Sequence, residues 1–531
     1  MTPKPVASPT RRARAILLRA IVFVGIAALL VGAGTVGLSV NTAGRSGSGP
    51  ATAVDMVEQS LRGQGTPDAV IATFEKGEIA ESRALGNEDY GPDTPFFIGS
   101  ASKSLTAMTV ARLVQQDRLD FDDRVVSHLP WFRVQGAYAD ITVRHLLNQT
   151  SGLPQWAGQV DLFQPELKVE ERVRELATVQ MTAEPGEKFQ YCNKNYAVLG
   201  MIIEAVTGRP YADVLKSEVL DPLGMSHTYT STDEVDDGEL PGGNLVMFGA
   251  HVPWPTPDFP AALADGYMIS TARDLAAFAD TLSTGEHDGR QFLSPAVLGS
   301  VQTPPDGVAS DPAYGSTYGM GLRISDIRGR QVLWHEGELA TFHANFGVFA
   351  DDRSGVLVLI AQNHQVIDGD SPFMSGLNVT AGGDARSDDG GYRSTMLSLI
   401  VVAALLVTAM IADISRLPRK LHRRRARRLV RHVVPRTIVG VLLTSVTFIG
   451  LGLGQGLPGP MPLEMAWTGA PDVTVLVLGT SAYLLISAAV LAFSKEVGHD
   501  DVMSRKRSRT YSSISWSLGY PVRRARLRRS L

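Results

Sequence analysis

The sequence predicts an α+β domain, one antiparallel sheet flanked by helices, followed by an all-α membrane-spanning segment. Three observations carry this. Strand-like alternation is confined to 69–86 and 331–363, helical periodicity fills the stretch between them, and long apolar runs bracketed by arginines follow. At 531 residues, 44% hydrophobic and 20% charged, the chain has the composition of a protein with a substantial core.

Charge is segregated. Segments 1–19, 416–436 and 494–531 carry 5, 10 and 10 of the 50 Lys and Arg residues, against three acidic ones, Glu496, Asp500 and Asp501. Residues 20–393 hold the other 25 basic residues against 48 acidic ones, a balance of −23 that the total of −4 conceals. Apolar runs at 16–40, 396–412, 438–454 and 473–493 adjoin the basic segments, each near the roughly 20 residues that cross a bilayer. Positive-inside placement puts the N-terminus, the 416–436 loop and the C-terminal tail in the cytoplasm. Four crossings satisfy all three and leave 45–392 and the 455–472 loop outside.

The expected organisation is a basic cytoplasmic N-terminus with a signal anchor or signal peptide (1–44), an extracytoplasmic domain (45–375), a linker (376–393), three membrane helices around the basic 416–436 loop (394–493) and a basic cytoplasmic tail (494–531). The first run is longer than a usual signal-peptide core and lacks an A-x-A-like site, which favours an uncleaved anchor. "RRRARRLVRHVVPR" lies between two apolar runs, so the bilayer rather than nucleic acid is its expected partner.

Within the exported segment, "NTAGRSGSGPATA" (41–53) reads as a tether. The stretch 69–86 forms two strands joined at Lys76-Gly77, and 331–363 forms three, two of them turning through "DDRSG". Helical patterns cover 100–116, 143–149, 165–178, 193–207, 210–218 and 271–283, so the two ends of the segment are expected to meet in one sheet. The loop 241–262, rich in proline, glycine and aromatics, is expected to rim a site. A single cysteine, Cys192, allows no intramolecular disulfide, and the 11 histidines show no metal-site spacing, so no structural or catalytic zinc site is expected.

Three short motifs bear chemistry. In "FFIGSASKSLTAM", Ser100 and Lys103 are spaced i, i+3, so on a helix beginning near Ser100 they share a face. A lysine shielded from water has a lowered pKa and can take the serine proton, while the helix start leaves the Ser100 N–H free for a developing oxyanion. Standing alone, S-x-x-K reads more simply as a helix N-cap. In "PGEKFQYCNKNYAVLG", Tyr191 near a lysine has its phenolate favoured and is a second proton carrier, and Asn193 offers an amide to a substrate or to Lys103; the plainer reading is a core tyrosine beside a capping asparagine. In "WHEGELATF", His335-x-Gly337 lies on a strand whose glycine permits close backbone approach, so a substrate can lie along the edge.

Taken in order, S-x-x-K, Y-x-N about 90 residues on and H-x-G about 140 further resemble the three motifs of the penicillin-recognising serine hydrolases: class C β-lactamases, D,D-peptidases, D-amino-acid amidases and related esterases. "ITVRHLLNQTSGLP", "DPLGMSHT", "DGYMISTARDLAAF" and "YGMGLRI" are also similar to segments of that family, over about 55–365. The resemblance implies a β-lactamase/transpeptidase-like fold with a helical subdomain, and an acyl-enzyme formed on Ser100. Lys103 and Tyr191 would share the proton work, Asn193 would hold the substrate amide, and the N–H groups of Ser100 and Glu338 would form the oxyanion hole. It implies no metal and no cofactor, and a small-molecule or peptide substrate. Three spans after such a domain also resemble peptidases that remove prodrug groups from exported natural products.

One departure bears on the substrate. Many family members carry Lys-Thr-Gly where this chain has His335-Glu336-Gly337-Glu338, replacing a permanent cation with an imidazole mostly neutral at pH 7. This favours a peptidase, amidase or esterase over an efficient β-lactamase. The alternative is a slow or non-catalytic penicillin-binding sensor or cell-wall scaffold, but the predicted cytoplasmic parts are too small for an enzyme-like output domain.

Overall fold

The computed structural model describes residues 52–159, 166–311, 313–365, 367–384, 391–422, 426–454 and 461–491. The first apolar run and the C-terminal tail lie outside them. The described residues divide into two compact units, one of those up to Val401 together with those in Thr447–Thr474, the other of those in Val402–Val446 and from Val475 to Leu491.

The first unit is built on a seven-stranded sheet. Its strands are β1 (Ala69–Glu75), β2 (Glu78–Leu85), β3 (Thr317–Tyr318), β4 (Arg323–Ile327), β5 (Arg330–Glu338), β6 (His343–Phe349) and β7 (Ser354–Ile360), in the spatial order β2-β1-β7-β6-β5-β4-β3. Neighbours are antiparallel throughout. The ends of the segment do meet, since Ala69 pairs with Ile360 and Glu75 with Ser354. The β1–β2 turn is Lys76-Gly77 as expected, both at positive φ (52° and 82°), the combination that suits the twist of a two-residue hairpin.

Strand alternation sorts the core into two layers. Ala69, Ile71, Val332, Trp334, Val356 and Val358 face helices α1 (Ala53–Gln64) and α5 (Ser371–Thr380). Val70, Ala72, Leu333, Phe346, Leu357 and Leu359 face the larger cluster of α2 (Ser102–Gln115), α3 (Asn193–Thr207) and α4 (Ala272–Thr284). Helix α1, capped by Thr52 through a reciprocal Thr52–Asp55 box, has no counterpart in the sequence reading. Helix α5 corrects that reading: residues 376–380 continue a helix whose Gly376 and Leu377 are buried, so the expected linker begins later. The 241–262 loop also holds a hairpin, Asn244–Met247 with Ala250–Pro253, whose first strand pairs in parallel with Gln362–Asn363.

Beyond the sheet run α6 (Tyr392–His422), α7 (Ala426–Gly454), α8 (Leu463–Gly469) and α9 (Pro471–Leu491). Among the described residues three stretches are long and apolar enough to span a membrane: Tyr392–Ser415, Val433–Gly450 and Pro471–Leu491. The expected basic loop is largely drawn into the ends of α6 and α7. Within the second unit Asp413 accepts from Arg436 at 2.7 Å and from Tyr483 Oη at 2.9 Å, so its charge is paired among the helices.

Candidate active site

The short strand Phe96–Phe97 pairs with Ile269–Ser270, and the Ile98 N–H bonds the Met268 carbonyl at 3.0 Å. The chain then turns sharply through a 3₁₀ turn, Gly99–Ala101, into α2, so Ser100 stands on the turn rather than in the α-helix itself. Two glycines make the turn possible. Gly99 has φ +50°, and a Cβ there would lie 2.5 Å from the Glu338 nitrogen; one on Gly337 would lie 1.8 Å from the Ile98 carbonyl oxygen. The nucleophile turn and the end of β5 thus meet backbone to backbone. Strand β4 pairs β5 only over Arg330–Trp334, which leaves His335–Glu338 with an open edge. The Leu339 N–H bonds Phe342 O at 2.9 Å, so antiparallel alternation turns the Glu338 N–H away from β6, to that open edge.

Lys103 is completely buried, with Nζ 2.9 Å from Ser100 Oγ and 2.5 Å from the Asp265 carbonyl oxygen. Burial lowers its pKa to about 8; Asp265 and Glu336 oppose the shift and Arg172 adds to it. The Asp265 carboxylate is clamped by Arg172 at 3.0 and 3.1 Å, both side chains being buried. That pairing spends most of the negative charge that would otherwise hold the proton on Lys103. Ser102 Oγ donates to Gly99 O and Ser104 Oγ to Gly321 O, so both read as structural and Ser100 is the serine facing Lys103.

Tyr191 differs from expectation. Its hydroxyl is buried near Ser100 without a hydrogen-bond partner of ordinary geometry, although Ser100 is close enough to ease its ionisation. Burial, with Tyr318 and Glu336, holds the phenol well above its ordinary pKa. Lys103 lies over the ring, 5.0 Å from its centroid, and does not make a phenolate. Asn193 Nδ2 donates to Gly158 O at 3.0 Å, while its Oδ1 is a buried acceptor without a hydrogen-bond partner. Cys192 is packed in the core as a small residue, its N–H on Gln149 Oε1.

His335 is fully buried. Burial brings its pKa down to about 4, with Glu336 opposing and Arg323 assisting. Nδ1 lies 2.5 Å from the Glu336 carbonyl and Nε2 2.9 Å from Tyr318 Oη, so Nδ1 carries the proton and Nε2 accepts from the tyrosine. The sequence reading missed the cation beside it. Arg323 grips Glu336 in a fork at 2.6 and 2.8 Å and reaches Asp311 at 2.7 Å. Burial pushes the Glu336 carboxyl up, but Arg323 and His335 overcome this and hold it at about 2. The Glu338 side chain is 46% exposed, its carboxylate 3.9 Å from His343 Nδ1 on β6. Lys103, Arg172 and Arg323 are each already engaged by neighbouring groups.

All seven residues singled out in the sequence, Ser100, Lys103, Tyr191, Asn193, His335, Gly337 and Glu338, belong to this one unit; contacts join Ser100, Lys103 and Tyr191, and the turn carrying Ser100 abuts Gly337 and Glu338, while Asn193 bonds Gly158 and His335 bonds Tyr318. Asp265, Arg172, Arg323 and Tyr318 were not singled out. Asp265 and Tyr318 open two of the family-like segments, but a buried arginine in a helical pattern reads like any surface arginine. A surface groove of about 520 Å³ along Arg62 and Arg83–Pro92 holds none of these residues.

The profile of the Beta-lactamase family matches residues 53–381, the whole sheet domain and every residue of the site. The chain belongs to the Beta-lactamase family. Members of this family are usually serine hydrolases. Protein flp of Staphylococcus aureus (strain COL) is 29% identical over 236 residues, 41% of this chain and 46% of flp, so the chain spans about half the length of the curated relatives it matches. An octameric penicillin-binding protein homologue from Pyrococcus abyssi superposes with a TM-score of 0.54 at 26% identity, covering 62% of this chain and 76% of that one. A D-stereospecific amidohydrolase from Streptomyces sp. gives 0.50 at 25% identity, covering 58% and 94%.

Proposed function

We propose that this Beta-lactamase family member is a membrane-anchored serine hydrolase, its domain outside the cytoplasm, cleaving amide or ester substrates through an acyl-enzyme. The observation that carries the reading is the buried Lys103 amine 2.9 Å from Ser100 Oγ, its pKa lowered to about 8. Neutral Lys103 takes the proton as Ser100 attacks the carbonyl carbon. The oxygen, now negative, is met by the N–H groups of Ser100 and Glu338. Tyr191, kept protonated, is suited to pass a proton between Lys103 and the leaving nitrogen or oxygen, and Asn193 Oδ1 accepts from the substrate amide. Collapse expels the leaving group, and water releases the acyl product. The neutral His335, standing where a permanent cation would hold a substrate carboxylate, and the engagement of Arg323 by Glu336 favour an amide, peptide or ester substrate. Similarity to the Streptomyces amidohydrolase supports the amide class.

Labelling membranes with a fluorophosphonate and with a fluorescent penicillin tests this. Ser100-dependent fluorophosphonate labelling with weak or absent penicillin turnover is expected. Labelling that survives Ser100→Ala and is lost in Ser102→Ala would overturn the assignment. A topology reporter fused after Phe493 is expected to report cytoplasm.

A further inference from the structure

The described residues of Thr447–Thr474, which take in the end of one candidate membrane span, the start of the next and part of the segment joining them, fold with the sheet domain. They are firmly attached. Asp472, fully buried, lies 3.1 Å from His364 Nε2 and accepts from the Phe248 N–H, and the Gln365 N–H bonds Gly469 O at 2.9 Å. Just before these anchors in the chain, α8 touches both elements that border the site. On one side Met461, Met465 and Ala466 pack with Trp156, whose 3₁₀ turn (Gln155–Gly158) holds Asn193 through Gly158 O. On the other side Trp467 packs against Trp254, with ring centroids 6.4 Å apart. The Trp254 N–H bonds Gly243 O, and Gly243 abuts Thr341 in the β5–β6 turn, just beyond Glu338. What faces outward there is apolar and partly uncovered: Trp254 is 37% and Leu463 53% exposed, and Trp156 and Trp467 are half-buried.

We infer that α8 and its flanks form a wall of the substrate cleft, bridging the Asn193 side and the β5–β6 side, and that Trp467, with Met461 and Met465 behind it, selects substrates bearing a large apolar group. The inference rests on the hydrolase reading and deepens it by naming the substrate class. The physical reason is that three tryptophans and two methionines gathered at this rim give an apolar substituent a large surface to pack against. Asp472 and His364 act as positioning residues, holding the wall in place.

The test uses the full-length protein in detergent with p-nitrophenyl hexanoate and p-nitrophenyl acetate. Trp467→Ala is expected to lower the ratio of kcat/KM for hexanoate over acetate by about tenfold, chiefly through KM, the range for loss of a hydrophobic contact. Trp467→Phe should restore most of it, and Asp472→Ala should shift the ratio the same way. In a Ser100→Ala background, hexanoyl p-nitroanilide binding followed by calorimetry should weaken about tenfold on Trp467→Ala. A ratio unchanged in Trp467→Ala, or binding unaffected by it, overturns the wall. Calorimetry that responds to Trp467→Ala in a protein showing no Ser100-dependent turnover overturns the hydrolase reading and leaves the wall standing.

Discussion

Lys103→Met gives the sharpest test, because the same buried amine governs both reactivity and stability. With a pKa of about 8, roughly a tenth of Lys103 is neutral at pH 7; at the ordinary 10.5 the neutral fraction is roughly three in ten thousand, about 300-fold less. The rate of Ser100 labelling by a fluorophosphonate should therefore rise close to tenfold per pH unit below 8 and level off above it. In Lys103→Met the inflection should vanish and the rate fall about 10²- to 10⁴-fold, the worth of a general base. Stability moves the opposite way. The folded pKa lies below the unfolded one, so the unfolded chain binds the proton more tightly; the cost is fully present below pH 8 and disappears as pH rises through 10.5. Its size is about 3 kcal/mol, so Lys103→Met should melt several degrees higher at pH 7 and gain little at pH 10.5. A labelling profile flat from pH 6 to 9, or an inflection near 8 that persists in Lys103→Met, refutes the argument.

Gly337→Ala should abolish labelling and lower the melting temperature, since its Cβ would have to share space with the Ile98 carbonyl oxygen; wild-type labelling by the variant counts against the backbone-to-backbone hole. Arg172→Met leaves Asp265 buried and unpaired, a loss of about 3–5 kcal/mol, and in the folded fraction the labelling inflection should move above pH 8 because Asp265 then favours the charged lysine. His335 has its folded pKa, about 4, below the unfolded 6.5, so its contribution is fully present above pH 6.5 and is lost as pH falls towards 4. It amounts to about 3 kcal/mol, and melting curves from pH 7 to 4 should fall more steeply for wild type than for His335→Gln.

Much of this protein is written in local pattern. A period of two placed five of the seven sheet strands; the missed Thr317–Tyr318 and Arg323–Ile327 are short or carry polar residues that break the alternation. Helix α5 was read as a tether because "GLNVTAGG" is small and polar, yet small residues are what allow Gly376 to pack against Val57 and Val356. The pairing of Ser100 with Lys103 follows from i, i+3 spacing alone, and charge segregation suggested the spans, of which the three after the domain appear as long apolar helices. What no window of sequence holds is the protonation of the site. Lys103 is tuned by a carbonyl and a carboxylate 162 residues away, the carboxylate in turn spent on Arg172, while Tyr191 stays protonated and His335 neutral because other segments exclude water from them. Desolvation and long-range pairing come into being only when distant segments close around the same few atoms, so the sequence named the reacting groups and the tertiary structure set their charge.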